Sequence, residues 1–417
     1  MILPVLALNA DQYDGASTAS IGLALGIYGL MQALLQVPFG KLSDRIGRKP
    51  VILAGLALFA AGSVLAALSE TIEMLIFARA VQGAGAVSAA LLALLSECSR
   101  EQNRSKLMAL LGMSIGLSFG LAMVLGPILA ANWGMQAIFW LCVGLAAVGA
   151  LAILSLSPHA EKDMSEHNIL GSAARRTNWL ELRRLNLGIF VLHAAQMSLW
   201  VAVPVMMLDT FGIAEDQHWK WYLLAVGGGF VLMAPVMQSY AKKNWYRSTL
   251  LVGIGSLFVA LLIMSQSLSF GIFVAGLLIF FWGFNLLEAT LPSLVSRRAD
   301  DENRGRAMGW YATSQFLGTF VGAAAGGWLV SVYGLNAVFY MGLGLFVLWF
   351  FVVIPMQPLP RIKSFIASEL SEQQIKALGK CLGVNSVISF SGQKEIFVKV
   401  DLDLVESETL EEYDLSS

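Results

Sequence analysis

Gly40-Lys41-Leu42-Ser43-Asp44-Arg45-Ile46-Gly47-Arg48-Lys49 sets one acid, four bases and two glycines between two long apolar stretches, Ser20 to Phe39 and Val51 to Leu68. Read alone, it is a polar loop with a tight exit at Gly40. Asp44 and Arg48 stand four apart and pair if the stretch is helical. Asp44 can also lie against the positive N-terminal end of a helix elsewhere in the chain. Both contacts would make the loop a conformational latch rather than a plain run of charge.

The flanking stretches are two of many. Of 417 residues, 57% are hydrophobic and 13% charged, against about 25% charged in soluble domains. A helix crosses the ~30 Å hydrocarbon core in about 20 apolar residues. Eleven such spans follow Ser20, the later ones being Ile72 to Leu95, Lys106 to Ala131, Gln136 to Leu156, Asn186 to Leu208, Trp219 to Ala241, Ser248 to Ser265, Phe270 to Val295, Gly305 to Val332 and Asn336 to Met356. Met1 to Leu8 is too short to span and reads as the end of a truncated first helix.

Basic loops stay on the cytoplasmic side of a membrane. Alternate loops carry Lys41, Arg45, Arg48 and Lys49; Arg100 and Arg104; Arg175, Arg176, Arg183 and Arg184; Lys242 and Arg247; and Arg297, Arg298, Arg304 and Arg306. The opposite loops carry Asp11, Asp14, Glu70, Glu73, Glu215 and Asp216, with Lys220 their only base. A net charge of -1 thus hides a strong sidedness, and it places the C-terminal tail in the cytoplasm.

Internal repeats organise the spans. Leu91 to Leu145 aligns without gaps on Leu291 to Leu345, pairing Ser96 with Ser296, Asn103 with Asn303, Arg104 with Arg304, Gly126 with Gly326 and Gly134 with Gly334. This predicts an all-α membrane fold of two six-helix bundles, residues 1–156 and 186–356, joined by a polar linker at 157–185. The tail, 361–417, has a soluble pattern. A strand at Arg361 to Ile366, a helix from Ser371 to Leu382 and strands at Ser386 to Ser391 and Glu395 to Leu402 give the order βαββ of a small α+β ferredoxin-like domain. Its closing strand is missing, which leaves one edge open.

Polar residues inside the spans are the candidates for chemistry, since each is costly in lipid. Glu288 lies mid-span beside Asn285, and His193 lies near Gln196. A carboxylate in low dielectric favours its protonated form, which suits a group that exchanges protons between two sides. Arg79 either tunes such a proton site or a substrate path, or snorkels to a headgroup. Tyr28, Gln32 and Gln36 share a helix face, and Trp200 offers an aromatic wall; a cavity of few polar groups among apolar walls suits hydrophobic compounds. Small residues at intervals of four, Gly116 and Gly120, and Gly318, Gly322 and Gly326, form ridges for close helix packing.

The segment Gly40 to Lys49 resembles throughout the signature of the major facilitator superfamily. Arg79-Ala-Val-Gln82-Gly83-Ala-Gly85-Ala86 resembles its fourth-helix motif, and Gly116 to Pro127, with Gly126 and Pro127 at its end, its fifth-helix antiporter motif. Gly26-Ile27-Tyr28-Gly29-Leu30 and Thr313-Ser314-Gln315-Phe316-Leu317-Gly318 are similar to a drug-efflux branch that carries a cytoplasmic ferredoxin-like tail. The resemblance implies a monomeric inner-membrane secondary transporter that exchanges protons for small amphipathic substrates. It also implies that Asp44, Arg48 and Glu97, with Gly40, Arg45 and Gly47 around them, hold the cytoplasmic ends of the halves together. Pro127 is followed by Ile-Leu-Ala-Ala where many antiporters have glycines, which keeps a proton-coupled importer or facilitator open, as the tail keeps open a transporter-like sensor. No cofactor, metal site, nucleic-acid surface or enzyme site is expected; a phosphate-binding glycine loop ending in Lys-Ser or Lys-Thr is absent from the sequence.

Overall fold

A computed structural model describes residues 2–97, 101–156, 166–170, 177–242, 245–266, 269–299, 303–357, 362–368, 371–390, 395–401 and 405. The N-terminal helices are α1 (Thr18–Ile46), α2 (Arg48–Ala67), α3 (Ile72–Ala84), α4 (Ser88–Glu97) and α5 (Glu101–Ser155). The second set is α6 (Trp179–Val205), α7 (His218–Lys242), α8 (Tyr246–Ser265), α9 (Phe270–Arg298), α10 (Arg304–Tyr333) and α11 (Ala337–Val353). Among the described residues nine helices are long and apolar enough to cross a membrane. One of them, Leu117–Ser155, is two crossings joined where α5 breaks at Gly134, and the shorter Ala337–Val353 is a further apolar helix, which accounts for the eleven expected spans.

Local chemistry sets the helix ends. Ser17 caps α1 through a reciprocal box with Ser20, Thr71 caps α3, and Asn178 accepts from the Leu180 and Glu181 amides at the start of α6. Pro38, Pro127, Pro204, Pro235 and Pro292 sit inside helices, a use tolerated in membrane helices where neighbours satisfy the freed carbonyls. The residues before α1 coil as a short helical turn, Leu6 bonding to Ile2 and Asn9 to Val5, with Val5 and Leu6 buried in the core.

The sequence repeat is visible in the backbone. Gly134 and Gly334, one repeat apart, both take positive φ, 76° and 81°, with ψ of 173° and 177°. Only glycine adopts that geometry without strain, so both halves turn at the same point. Helices α1, α2, α3 and α5 pack on one another, as do α6, α8, α9, α10 and α11.

The halves meet along α1 and α10. A Cβ on Gly22 would fall 2.4 Å from the Ala323 carbonyl oxygen, one on Gly26 2.8 Å from that of Phe320, and one on Gly29 2.8 Å from that of Phe316. The two backbones touch there, which only glycine permits. The contact runs out further along the same stripe of α1: Ala33 is 7% exposed but Val37 is 39% exposed.

A separate sheet has the order β1-β3-β4-β2, every pair antiparallel. The tail supplies strands β2 (Ile362–Ser368), β3 (Val384–Phe390) and β4 (Glu395–Asp401), with α12 (Glu372–Leu378) capped by Ser371 between β2 and β3. Strand β1 (Glu166–Leu170) comes from the stretch read as linker and pairs with β3. One edge of the sheet is therefore covered by a segment lying between the helical halves in sequence. The other edge, β2, has only β4 as neighbour among the described residues; the acidic end after Val405 lies outside them. Helix α6 already begins at Trp179, inside the stretch 157–185 expected to be linker.

Candidate functional site

The segment from Gly40 to Lys49 is not the loop that the sequence reading expects. Helix α1 runs through Gly40 to Ile46, and the exit is Gly47, at φ 98°, with α2 starting at Arg48. Residues Lys41 to Ile46 have no breaker, so the helix continues until a residue that tolerates positive φ. The pair still forms, across the break: the Arg48 guanidinium holds the Asp44 carboxylate and donates to Ser43 Oγ at 2.7 Å. Asp44 remains 60% exposed. The third expected partner, Glu97, ends α4, and its side chain lies outside the described part. Arg45 is exposed. Lys49 Nζ donates to the Leu156 carbonyl and ties the start of α2 to the end of α5.

Arg79 does not snorkel. It is 7% exposed, with its guanidinium donating to Gln82 Oε1 and to the Ala24 carbonyl at 3.4 Å, and stacked 4.8 Å from the Tyr28 ring centroid. Gln82 donates onward to Ser63 Oγ at 2.7 Å, and Gln32 to Tyr28 Oη at 3.1 Å. No carboxylate pairs with Arg79 among the described residues. The cation is held by neutral dipoles and a π face, knitting α1, α2 and α3 together. The side-chain carbonyl oxygens of Gln32 and Gln36, both Oε1 atoms, are buried without a donor.

In the C-terminal half, three helices bring polar groups to one point. Gln315 Nε2 lies 2.9 Å from His193 Nε2 and donates to Glu288 Oε1 at 3.2 Å, and His193 Nε2 lies 3.9 Å from Glu288 Oε2. His193 Nδ1 is 3.3 Å from the Ile189 carbonyl oxygen. That contact assigns the proton to Nδ1, so Nε2 accepts from the Gln315 amide. One amide thus bridges the imidazole and the carboxyl group. Glu288 Oε2 and the Tyr311 hydroxyl, one turn before Gln315, are buried without hydrogen-bond partners. Phe284 closes the site, its ring 5.6 Å from that of His193. Arg79 belongs to the other half and does not join this cluster.

Other candidates fall elsewhere. Trp200 is 2% exposed, edge-on to Tyr222 at 5.3 Å and against Phe281 at 5.8 Å, so it fills the core of its half and does not line a cavity. Gln196 is buried, and Asn285 donates to the Val226 carbonyl at 3.3 Å, tying α9 to α7. Gly318, Gly322 and Gly326 pack α10 on α6, against Phe190, Ala194 and Ser198. Gly120 has open space where packing was expected; the surroundings of Gly116 lie outside the described part, and Gly126 and Pro127 are buried in α5.

Two functional features carry no signal in the sequence. Gln315 lies within the stretch Thr313 to Gly318, but an amide in a helix does not announce its partner. Glu181, in the stretch read as linker, is 2% exposed and paired with Arg184 and with Arg298 NH1 at 3.1 Å. Arg184 reaches the Pro355 carbonyl at 3.3 Å and Arg298 that of Gln357, binding the start of α6, the end of α9 and the exit of α11.

Known proteins agree with this architecture. The model of the Major Facilitator Superfamily matches residues 1–187 and 185–397. The inner membrane transport protein YajR of Escherichia coli strain K12 is 39% identical, over 96% of this chain and 90% of that protein. An uncharacterized transporter of Buchnera aphidicola is 35% identical, over 77% of this chain and 84% of its own length. The multidrug resistance protein MdtL of Escherichia coli is 27% identical over 62% of the chain and 65% of that protein. Among solved structures, the human organic anion transporter MFSD10 (TETRAN) superposes with a TM-score of 0.59 at 21% identity, over 80% of this chain and 83% of that one, a likeness of fold. This multi-pass membrane protein is a transporter, and it belongs to the Major Facilitator Superfamily.

Proposed function

We propose that the chain exports small amphipathic compounds across the inner membrane in exchange for protons, with Glu288 as the proton carrier. The convergence of Glu288, His193 and Gln315 from α9, α6 and α10 carries the reading. Glu288 Oε2, without a hydrogen-bond partner and 3.9 Å from the imidazole, is where a proton can be accepted. Once protonated, the carboxyl no longer needs the Gln315 amide as a donor, and the amide is released to turn. That change is passed directly to α10, the helix that forms the seam with α1. If the basic loops are cytoplasmic, the glycine seam closes the external end and the splayed stripe beyond Ala33 opens inward, so the conformation is the one that loads substrate from the cytoplasm. The names of YajR and MdtL, an inner membrane transport protein and a multidrug resistance protein, support the location and the substrate class.

Everted vesicles with an acidified lumen provide the test. Ethidium, Hoechst 33342 and rhodamine 6G are added singly while a pH-sensitive dye follows the gradient. A transported compound should discharge the gradient in vesicles with the wild-type chain and leave it intact with Glu288→Gln. Discharge at the wild-type rate by Glu288→Gln would remove the proton assignment; discharge by none of the compounds with either chain would remove drug export.

A further inference from the structure

Where α6 and α10 begin, a groove of about 780 Å³ opens between them. Leu187, Phe190 and Ala307 line it, with Trp179, Arg183 and Arg306 also among its walls, and among the described residues none from α1 to α5 reaches it. Two more lining residues, Trp310 and Leu317, are 51% and 38% exposed. They begin a stripe of α10 that stays exposed through Val321, Trp328 and Val332. That stripe passes the level of Phe320 and Gly327, where the opposite side of α10 is covered by α1. The stripe therefore faces lipid rather than the path between the halves. Trp310 and Trp328 are 18 residues apart, about 27 Å along a helix, which matches the ~30 Å hydrocarbon core. Tryptophans favour both interfaces. The groove thus opens to the bilayer at one headgroup layer, on the side of the basic loops.

Its polar groups fit one kind of occupant. The Arg306 guanidinium stacks on the Trp179 ring, Cζ 4.9 Å from the centroid, a geometry that leaves its in-plane N–H edge for an acceptor. Arg183 is exposed in the same groove. Asn186 Oδ1, also within it, is buried and has no donor, so it lacks an O–H or N–H. Two guanidiniums suit a phosphodiester, the orphan acceptor suits a headgroup hydroxyl, and Leu187, Phe190 and Leu317 suit an acyl chain. Basic pockets between membrane helices on the cytoplasmic side are where anionic headgroups bind. We infer that this groove binds an anionic phospholipid of the phosphatidylglycerol type, its phosphate between Arg183 and Arg306 and its glycerol hydroxyl on Asn186.

Native mass spectrometry of the full chain in detergent, titrated with phosphatidylglycerol, phosphatidylethanolamine or soluble glycerol phosphate, tests this. Phosphatidylglycerol should be retained about tenfold better than phosphatidylethanolamine. Arg183→Gln with Arg306→Gln should lower that retention roughly thirtyfold, the loss expected for two basic residues at a membrane surface. The matched loss of two exposed charges elsewhere, Lys41→Gln with Arg247→Gln, should leave it within twofold of wild type. Ser314→Trp, which fills the groove without changing charge, should also release the lipid. Equal retention of both lipids, or equal loss in the two double variants, would overturn the site in favour of general surface charge. Displacement of the lipid by glycerol phosphate at equal concentration would overturn the lipid in favour of a small anion.

Discussion

At the scale of single residues, two polar clusters in the C-terminal half have opposite uses. In the first, Gln315 donates to Glu288 Oε1 and lies against His193 Nε2. Gln315→Leu removes the bridge between the two groups. A hydrogen bond contributes about 1 kcal/mol, so proton-driven transport in vesicles should fall roughly fivefold, whereas an unchanged rate would make the amide a bystander. In the second cluster, Glu181→Gln removes the buried carboxylate that holds both Arg184 and Arg298. Thermal unfolding in detergent should show a clear drop, while Glu181→Asp, which keeps the charge, retains most of the stability. Neither cluster was fully legible in the sequence. Glu288 and His193 stood out because ionisable groups are expensive in lipid, but Gln315 and Tyr311 resemble packing residues, and only the fold sets them beside a carboxylate.

At the scale of elements, lipid leaves few choices, which is why the spans could be read directly. A segment in hydrocarbon must satisfy its own backbone, so an apolar run of sufficient length is a helix. The repeat was equally plain, and Gly134 and Gly334 carry it into matched positive φ. Which helix each glycine faces was not readable, because spacing gives a face but not the neighbour. Gly318 and Gly322 pack within one half, while Gly22, Gly26 and Gly29 make the seam between halves. Substitution should separate these cases. Gly22→Val would force a side chain against the Ala323 backbone, 2.4 Å from its Cβ, and should part α1 from α10 at that end. Ala323→Cys, buried now, should then react several-fold faster with a membrane-impermeant maleimide applied on that side. Gly120→Ala, in open space, should leave the rate unchanged and gain up to about 1 kcal/mol of helix propensity. The linker was the least legible element: β1 has its partner β3 more than 200 residues away, and no local pattern announces that pairing.

For the whole molecule, the question is what holds each end of the seam shut. In this conformation α1 and α10 touch at Gly22, Gly26 and Gly29, while Val37, on the same stripe, is 39% exposed. Asp44 is further still toward that open end, paired with Arg48 across the Gly47 break and 60% exposed. When that end closes, α10 must swing toward α1, and its positive N-terminal dipole approaches Asp44. On the latch role proposed for Asp44, the acid should favour the closed arrangement and contribute little to the open one. An exposed charge near a helix end stabilises by about 0.3–1 kcal/mol, enough to change the ratio of the two states roughly twofold to fivefold. Asp44→Asn should raise the labelling rate of Val37→Cys by that factor, because the chain spends more time open at that end. Asp44→Glu, which keeps the charge, should lie near wild type. Equal rates in all three would show that the Asp44 carboxylate plays no part in closure, and the glycine seam together with the proton site would have to set the balance alone.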